Sequence, residues 1–172
     1  MKEIIPKLSR VAVFGSSTTP DNAQSLREVN LAARALKVEL QITDVLDPKD
    51  IEAAFRTANT GRVDAVMVLP GAVFDSRRTQ IVELAAKSRL AAIYYKAEFV
   101  EDGGLMTYGT SWADLSRRTA TYVDKILKGA KPAELPIEQP KTFELIVNLK
   151  AAKQIGLIMP PNVLARADRV IK

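Results

Sequence analysis

Tyr94, Tyr95, Lys96, Glu98 and Phe99 bring two phenols, an ammonium, a carboxylate and a further ring into one short stretch of chain. This mixture suits recognition better than bond breaking, because a tyrosine ring can bury a small apolar group while its hydroxyl fixes the orientation. A structural reading competes at each position, with Tyr94 in a core and Lys96 on the surface. Ser16, Ser17 and Thr18 form a second group, directly after the apolar run Val11–Phe14 and Gly15. Their hydroxyls and the backbone N–H groups around them could hold an anionic head such as a carboxylate or phosphate. The run is neither a GxGxxG nor a Walker loop, and a plain turn with a helix cap accounts for it as well. Gly71 and Phe74 make a third group after Pro70. There a small residue lets backbone approach a ligand, and Phe74 either stacks on an apolar solute or packs inward.

The composition removes most reaction chemistry. With no Cys and no His among 172 residues, thiolate nucleophiles, imidazole bases, disulfides and the usual zinc sites are absent. No Asp/Glu pair stands out as an acid–base couple, so the chain reads as a non-enzyme, without catalytic or metal-ligating residues and with no cofactor. Net charge is +5 and the pI about 9.5. The cations Arg77, Arg78, Arg117, Arg118, Lys125, Lys128 and Lys131 lie among Glu83, Asp114, Asp124 and Glu134. That is a mixed solvated face, not a nucleic-acid stripe. No apolar run nears the roughly 18 residues needed to span a bilayer, so no membrane insertion is expected. Glu3 and Pro6 interrupt anything like a signal-peptide core at Met1–Pro6, so the chain as it stands is expected in the cytoplasm.

The elements that must carry these groups alternate. Val11–Phe14 reads as a strand, followed by a helix with Leu26, Val29, Ala33 and Leu36 on one stripe. Val38, Leu40 and Ile42 alternate with polar neighbours, which predicts a strand with one wet face toward a sheet edge. Asp47, Pro48 and Asp50 announce a helix whose buried stripe is Ile51, Ala54, Phe55 and Ala58. Ala65–Leu69 has no alternation and reads as a central strand. Ser76 opens a third helix with Ile81, Leu84 and Ala85 inward. Ala91–Tyr95 and Leu105–Tyr108 supply the fourth and fifth strands, and Tyr95–Phe99 reads as a loop. The pattern predicts an α/β fold with a doubly wound, flavodoxin-like parallel sheet in the order 2-1-3-4-5 over residues 1–110, with ligands outside the carboxyl ends of the strands.

Residues 111–172 change rhythm. Ser111 and Asp114 start a helix with Trp112, Leu115, Thr119, Tyr122 and Ile126 in a stripe, and Lys131–Pro136 reads as an extended crossing segment. Phe143–Val147 reads as a strand, Asn148 as the cap of a helix through Gln154, and Pro160-Pro161 as a break before a last short helix.

The run Glu98–Gly109, the helix Ala120–Gly129, Glu138-Gln139-Pro140, Phe143-Glu144-Leu145, Asn148-Leu149-Lys150, Pro160-Pro161 and Arg166-Ala167-Asp168 together resemble the C-terminal half of one family of bacterial ABC-transporter substrate-binding proteins. The resemblance implies one lobe of a type I periplasmic binding protein, with the first lobe lacking, a small organic solute such as an amino acid or aromatic carboxylate, an ABC permease as partner, and a periplasmic place of work. Family members usually carry Trp-Asn-Pro near Gly15-Ser16-Ser17 and often an Asp where Gly71 stands, so this chain departs from the pattern at two expected contacts. In the family the helix from Ser111 crosses to the first lobe. Its apolar face here lacks that cover, which predicts a homodimer through Ser111–Leu127 and Phe143–Val147. Two other uses stay open: a cytoplasmic small-molecule or nucleotide-binding module built on Ser16–Thr19, and a homo-oligomer that binds no solute.

Overall fold

A computed structural model describes residues 1–172. Seven strands form one sheet in the order β2-β1-β3-β4-β5-β6-β7. They are β1 (Arg10–Gly15), β2 (Glu39–Asp44), β3 (Ala65–Val68), β4 (Ala91–Tyr94), β5 (Met106–Thr110), β6 (Phe143–Asn148) and β7 (Arg169–Ile171). The first five are parallel and in the flavodoxin-like order. β6 then runs antiparallel to β5, and β7 parallel to β6. β2 closes one edge as expected, but the alternation does not hold along it: Ile42 is exposed, while Gln41 and Thr43 are half-buried and Gln41 Nε2 donates to Thr57 O at 3.1 Å. Asp64 ties the start of β1 to β3: its carboxylate accepts from Ser9 N at 2.7 Å, Ser9 Oγ at 2.9 Å and Arg10 N at 2.9 Å.

Two cores lie on the two faces. On one, Ala12, Phe14, Val66, Ala92 and Tyr94 meet α2 (Asp50–Thr60), α4 (Arg78–Lys87) and α5 (Ala97–Glu101). Phe14 and Phe55 pack there edge to face, centroids 5.1 Å apart. On the other face, Val11, Val13, Ala65 and Val147 meet α1 (Asn22–Leu36), the segment carrying Ile4 and Leu8, α7 (Leu149–Gln154) and α8 (Pro161–Leu164). Each fully buried Val, Ile or Phe contributes about 1.5–3 kcal/mol. Glu3 pins the amino end to α8 and the turn after it: its carboxylate accepts from Asn162 Nδ2 at 2.8 Å and pairs with Arg166 at 2.6 Å. No helix is long and apolar enough to cross a membrane.

Several boundaries differ from the reading of the sequence. α2 begins at Asp50 and not at Pro48, because Asp47 Oδ1 accepts from Lys49 N while Asp50 Oδ2 accepts from Leu46 N and Asp47 N, which holds the entry as a turn. Ser76 closes a short helix, α3 (Ala72–Ser76), its hydroxyl donating to Val73 O, and α4 starts beyond Arg77. Leu36 is exposed at the end of its stripe. Residues Pro132–Glu134 tighten into a 3-10 turn inside the expected extended segment. The division at 110/111 falls across one sheet, since β6 and β7 continue it. What leaves the sheet is the arm formed by α6 (Trp112–Leu127) and the return to Thr142, which has no buried residue in the helix. Tyr122 Oη donates to Pro136 O at 2.6 Å, and Ser111 N to Thr142 O at 3.0 Å, fastening the arm's tip and stem. β6 pairs with β5 along Phe143–Val147 and with β7 over Ile146–Asn148, and Phe143 is exposed at its start.

Candidate functional site

β1 has β2 on one side and β3 on the other, so the chain leaves β1 toward α1 on one face and leaves β3 toward α3 and α4 on the opposite face. The two loops leave the carboxyl ends of adjacent strands, the position where doubly wound sheets receive ligands.

On the β1 side, Ser16 is buried and Ser17 and Thr18 are exposed. Ser16 Oγ and Thr18 Oγ1 lie 2.7 Å apart, and Asn22 Nδ2 donates to Ser16 O at 3.0 Å, which shapes the turn from below. Ser17 N donates to Asp44 Oδ1 at the end of β2. α1 begins without a side-chain cap; the Asn22 N–H donates to Thr19 O at 3.1 Å, which leaves those of Ala23 and Gln24 as the unpaired donors of the first turn.

On the β3 and β4 side, Gly71 has an extended backbone, and a side chain there would meet the Phe74 ring at 3.0 Å and Thr19 Oγ1 at 3.6 Å. The glycine thus lets Phe74 turn inward and brings the two loops together. Asp75 is the hub. Its carboxylate accepts from Tyr95 Oη at 2.8 Å and from Lys96 Nζ at 2.9 Å to each oxygen. Burial first, then the hydrogen bond to Asp75, then the Asp75 charge push the Tyr95 hydroxyl well above its ordinary pKa. The Lys96 ammonium sits 5.6 Å from the ring centres of both Tyr95 and Trp112, a cation between two π faces. The result is a small amphipathic wall of two rings, one ion pair and a phenol.

The expected contacts divide accordingly. Ser16, Ser17, Thr18, Gly71, Tyr95 and Lys96 stand at the strand ends. Phe74, Tyr94 and Phe99 belong to the core: Phe74 and Tyr94 are buried, and Tyr94 stacks on the fully buried Phe99 with centroids 4.7 Å apart. The cause is α5, which the sequence reading treated as loop and which rolls Phe99 under β4. Glu98 is half-buried and lines a groove with Glu101, Trp112 and Glu144, in whose wall Tyr95 takes no part. The reading missed Asp75 and Trp112 as site residues. A signal for Asp75 existed, because a carboxylate after one central strand and a lysine after the next are placed to pair in a parallel sheet.

A family model described as ABC transporter substrate binding protein matches residues 1–171. No curated protein matches the sequence. Among solved structures, a conserved domain protein from Vibrio cholerae O1 biovar El Tor is similar at 24% identity and a TM-score of 0.89, over 98% of this chain and 57% of that one. An ABC domain from Streptococcus pneumonia, in complex with L-Trp, gives 25% identity and a TM-score of 0.89, over 99% and 57%. A substrate-binding protein with adhesive properties from Clostridium difficile, ligand-free and open, gives 18% identity and a TM-score of 0.74, also over 99% and 57%. The chain spans a little over half the length of each.

Proposed function

Starting from a chain that belongs to the ABC transporter substrate-binding protein family, we propose that its strand ends form one wall of a solute cleft, taking a small organic molecule such as an amino acid or aromatic carboxylate for delivery to an ABC permease outside the cytoplasmic membrane. The observation that carries this reading is the convergence of the Ser17–Thr18 loop, the uncapped start of α1 and the Tyr95–Asp75–Lys96 cluster at the switch point of the sheet. In the proposed pose a carboxylate faces the start of α1 and its hydroxyls, while an apolar or aromatic body lies along Tyr95 and Trp112. That a relative of similar fold was solved with L-Trp supports an aromatic body. We further infer that the chain acts as a homodimer joined through Ser111–Leu127 and Phe143–Val147.

Trp112, the sole tryptophan, reports on the wall. Titration with a panel of amino acids and aromatic carboxylates is expected to give saturable fluorescence change for at least one compound, and Lys96→Ala to weaken it severalfold. A flat response from the folded protein across the panel refutes the solute-binding reading.

A further inference from the structure

We propose that this wall selects a carboxylate solute that carries no amino group, taking an aromatic acid in preference to the amino acid with the same side chain. An α-amino acid sets an ammonium beside its carboxylate. A surface that strips water from that ammonium must give it an acceptor, and a carboxylate is the strongest one available. The carboxylate at the centre of the wall is Asp75, and it is already taken. Lys96 Nζ lies 2.9 Å from each of its oxygens, and Tyr95 Oη donates to Oδ1 at 2.8 Å. Arg78 Nη1 reaches the Asp75 main-chain carbonyl at 3.4 Å, so a second cation borders the same residue.

A solute ammonium would have to displace Lys96. That side chain is tethered one strand away, which gives it an effective concentration of roughly millimolar order or more at Asp75. The rings of Tyr95 and Trp112, each centred 5.6 Å from its ammonium, add to the hold. A free ammonium brings neither advantage. The neighbouring acceptors do not replace Asp75. Asp44 ends β2, on the far side of β1 from β3 and β4, and its Oδ1 accepts the Ser17 N–H at 2.8 Å. Asp21 and Asp44 are both exposed, where water and salt screen them. Glu98 lines the separate groove that Tyr95 does not reach. Asn22 Oδ1 has no partner, but the residue is buried beneath the Ser16 turn, out of contact with solvent. The rim offers donors instead, the N–H groups of Ala23 and Gln24 and the exposed Ser17 hydroxyl, and these suit an anion. Discrimination then comes from leaving the wrong solute with an unpaired charge.

This preference rests on the solute-binding reading and is the one this chain itself contributes, and matched pairs of compounds keep the two apart. The full chain is titrated by heteronuclear NMR with phenylalanine against phenylpropionate, tyrosine against hydroxyphenylpropionate, and tryptophan against indolepropionate. In the pair that binds best, the acid without the amino group is expected to bind about fivefold more tightly or better. Lys96→Met frees the Asp75 carboxylate and is expected to shift that ratio about tenfold toward the amino acid. Asp75→Asn leaves the Lys96 ammonium without its counter-charge and is expected to shift the ratio the other way. Signal dispersion in the same spectra checks that each variant folds, and a loss of structure alone would weaken both members of a pair alike. No saturable shift with any of these compounds overturns the solute-binding reading, and this inference with it. An amino acid that binds as tightly as its partner acid, or a ratio that neither variant moves, overturns this inference alone.

Discussion

Replacing Tyr94 by Phe decides whether this side chain belongs to the site or to the core. Tyr94 is 2% exposed and its Oη is buried with no hydrogen-bond partner in the protein. Burial alone pushes the hydroxyl above its ordinary pKa, the mark of a polar group held among carbon atoms. The small cavity beside it, about 10 Å³, is lined mainly by aliphatic groups including Val82, Ala85, Leu90 and Ala92. Leaving such a group unpaired costs about 1–3 kcal/mol. Phenylalanine removes that cost and keeps the ring stacked on Phe99, 4.7 Å away and 7° from parallel. Loss of one oxygen leaves only a small void, offsetting part of the gain. The net expectation for Tyr94→Phe is a stabilisation of about 1 kcal/mol in urea unfolding. Solute binding should be unchanged. A destabilisation beyond about 1 kcal/mol would show that the hydroxyl makes a bond that matters to the fold. Weakened solute binding with unchanged stability would return Tyr94 to the cleft, and either result refutes the argument.

Three further outcomes test the frame around it. Gly109→Ala would place a methyl 2.4 Å from Tyr95 O, a clash of backbone with side chain that cannot rotate away, so a loss of about 1–3 kcal/mol is expected in chemical denaturation. Asp75→Asn removes the charge that helps hold the Tyr95 hydroxyl protonated, so spectrophotometric titration should show this tyrosine ionising at lower pH than in the wild type. Burial raises the pKa of Asp64, but the hydrogen bonds from Ser9 and Arg10 outweigh it and leave the carboxyl below its ordinary value. The stability Asp64 supplies is therefore present above the unfolded-state value, about 3.9, and is lost as pH falls through the lower folded value. Asp64→Asn should flatten the acid limb of the stability–pH curve and leave its slope near neutrality unaltered.

The sheet was legible because its strands state their own burial. Ala65–Leu69 has no polar residue to turn outward and lies in the interior, whereas Val38–Thr43 alternates and lies at the edge. The order of the first five strands followed from the alternation of strand and helix. The polarity of β6 and the existence of β7 did not, since Arg169–Ile171 is three residues long and is held by pairing with Ile146–Asn148, a contact across more than twenty residues of chain. The site divided along the same line. Ser16, Gly71 and Lys96 were placed by rules about where strands end. Phe99 was misplaced because α5 is only five residues long, too short to show helical periodicity, and a helix turn is enough to reverse the side of the chain on which a ring lies. Asp75 acquires its role only when β3 and β4 pair, which no local pattern records.

The geometry of the wall also sets how tightly it can hold anything. Clefts of the proposed kind bury roughly 70–90% of a small ligand between opposed surfaces. If a complete cleft reaches about −8 kcal/mol, near micromolar, one wall with half the contacts retains about −4 kcal/mol, near millimolar. The cluster is built in a manner consistent with that division. Asp75 is already satisfied by Tyr95 and Lys96, so the wall is internally neutral and rigid before a solute arrives, and it contributes shape and orientation more than charge. The unspent polar capacity lies at the rim, in the exposed Ser17 hydroxyl and the first turn of α1, which has no side-chain cap. An opposing surface that brings apolar cover to Tyr95 and Trp112, and leaves that rim open to a carboxylate, would raise affinity with little rearrangement of this chain. That predicts a large gain in solute affinity from adding the second surface and only small chemical-shift changes in the strands behind the wall.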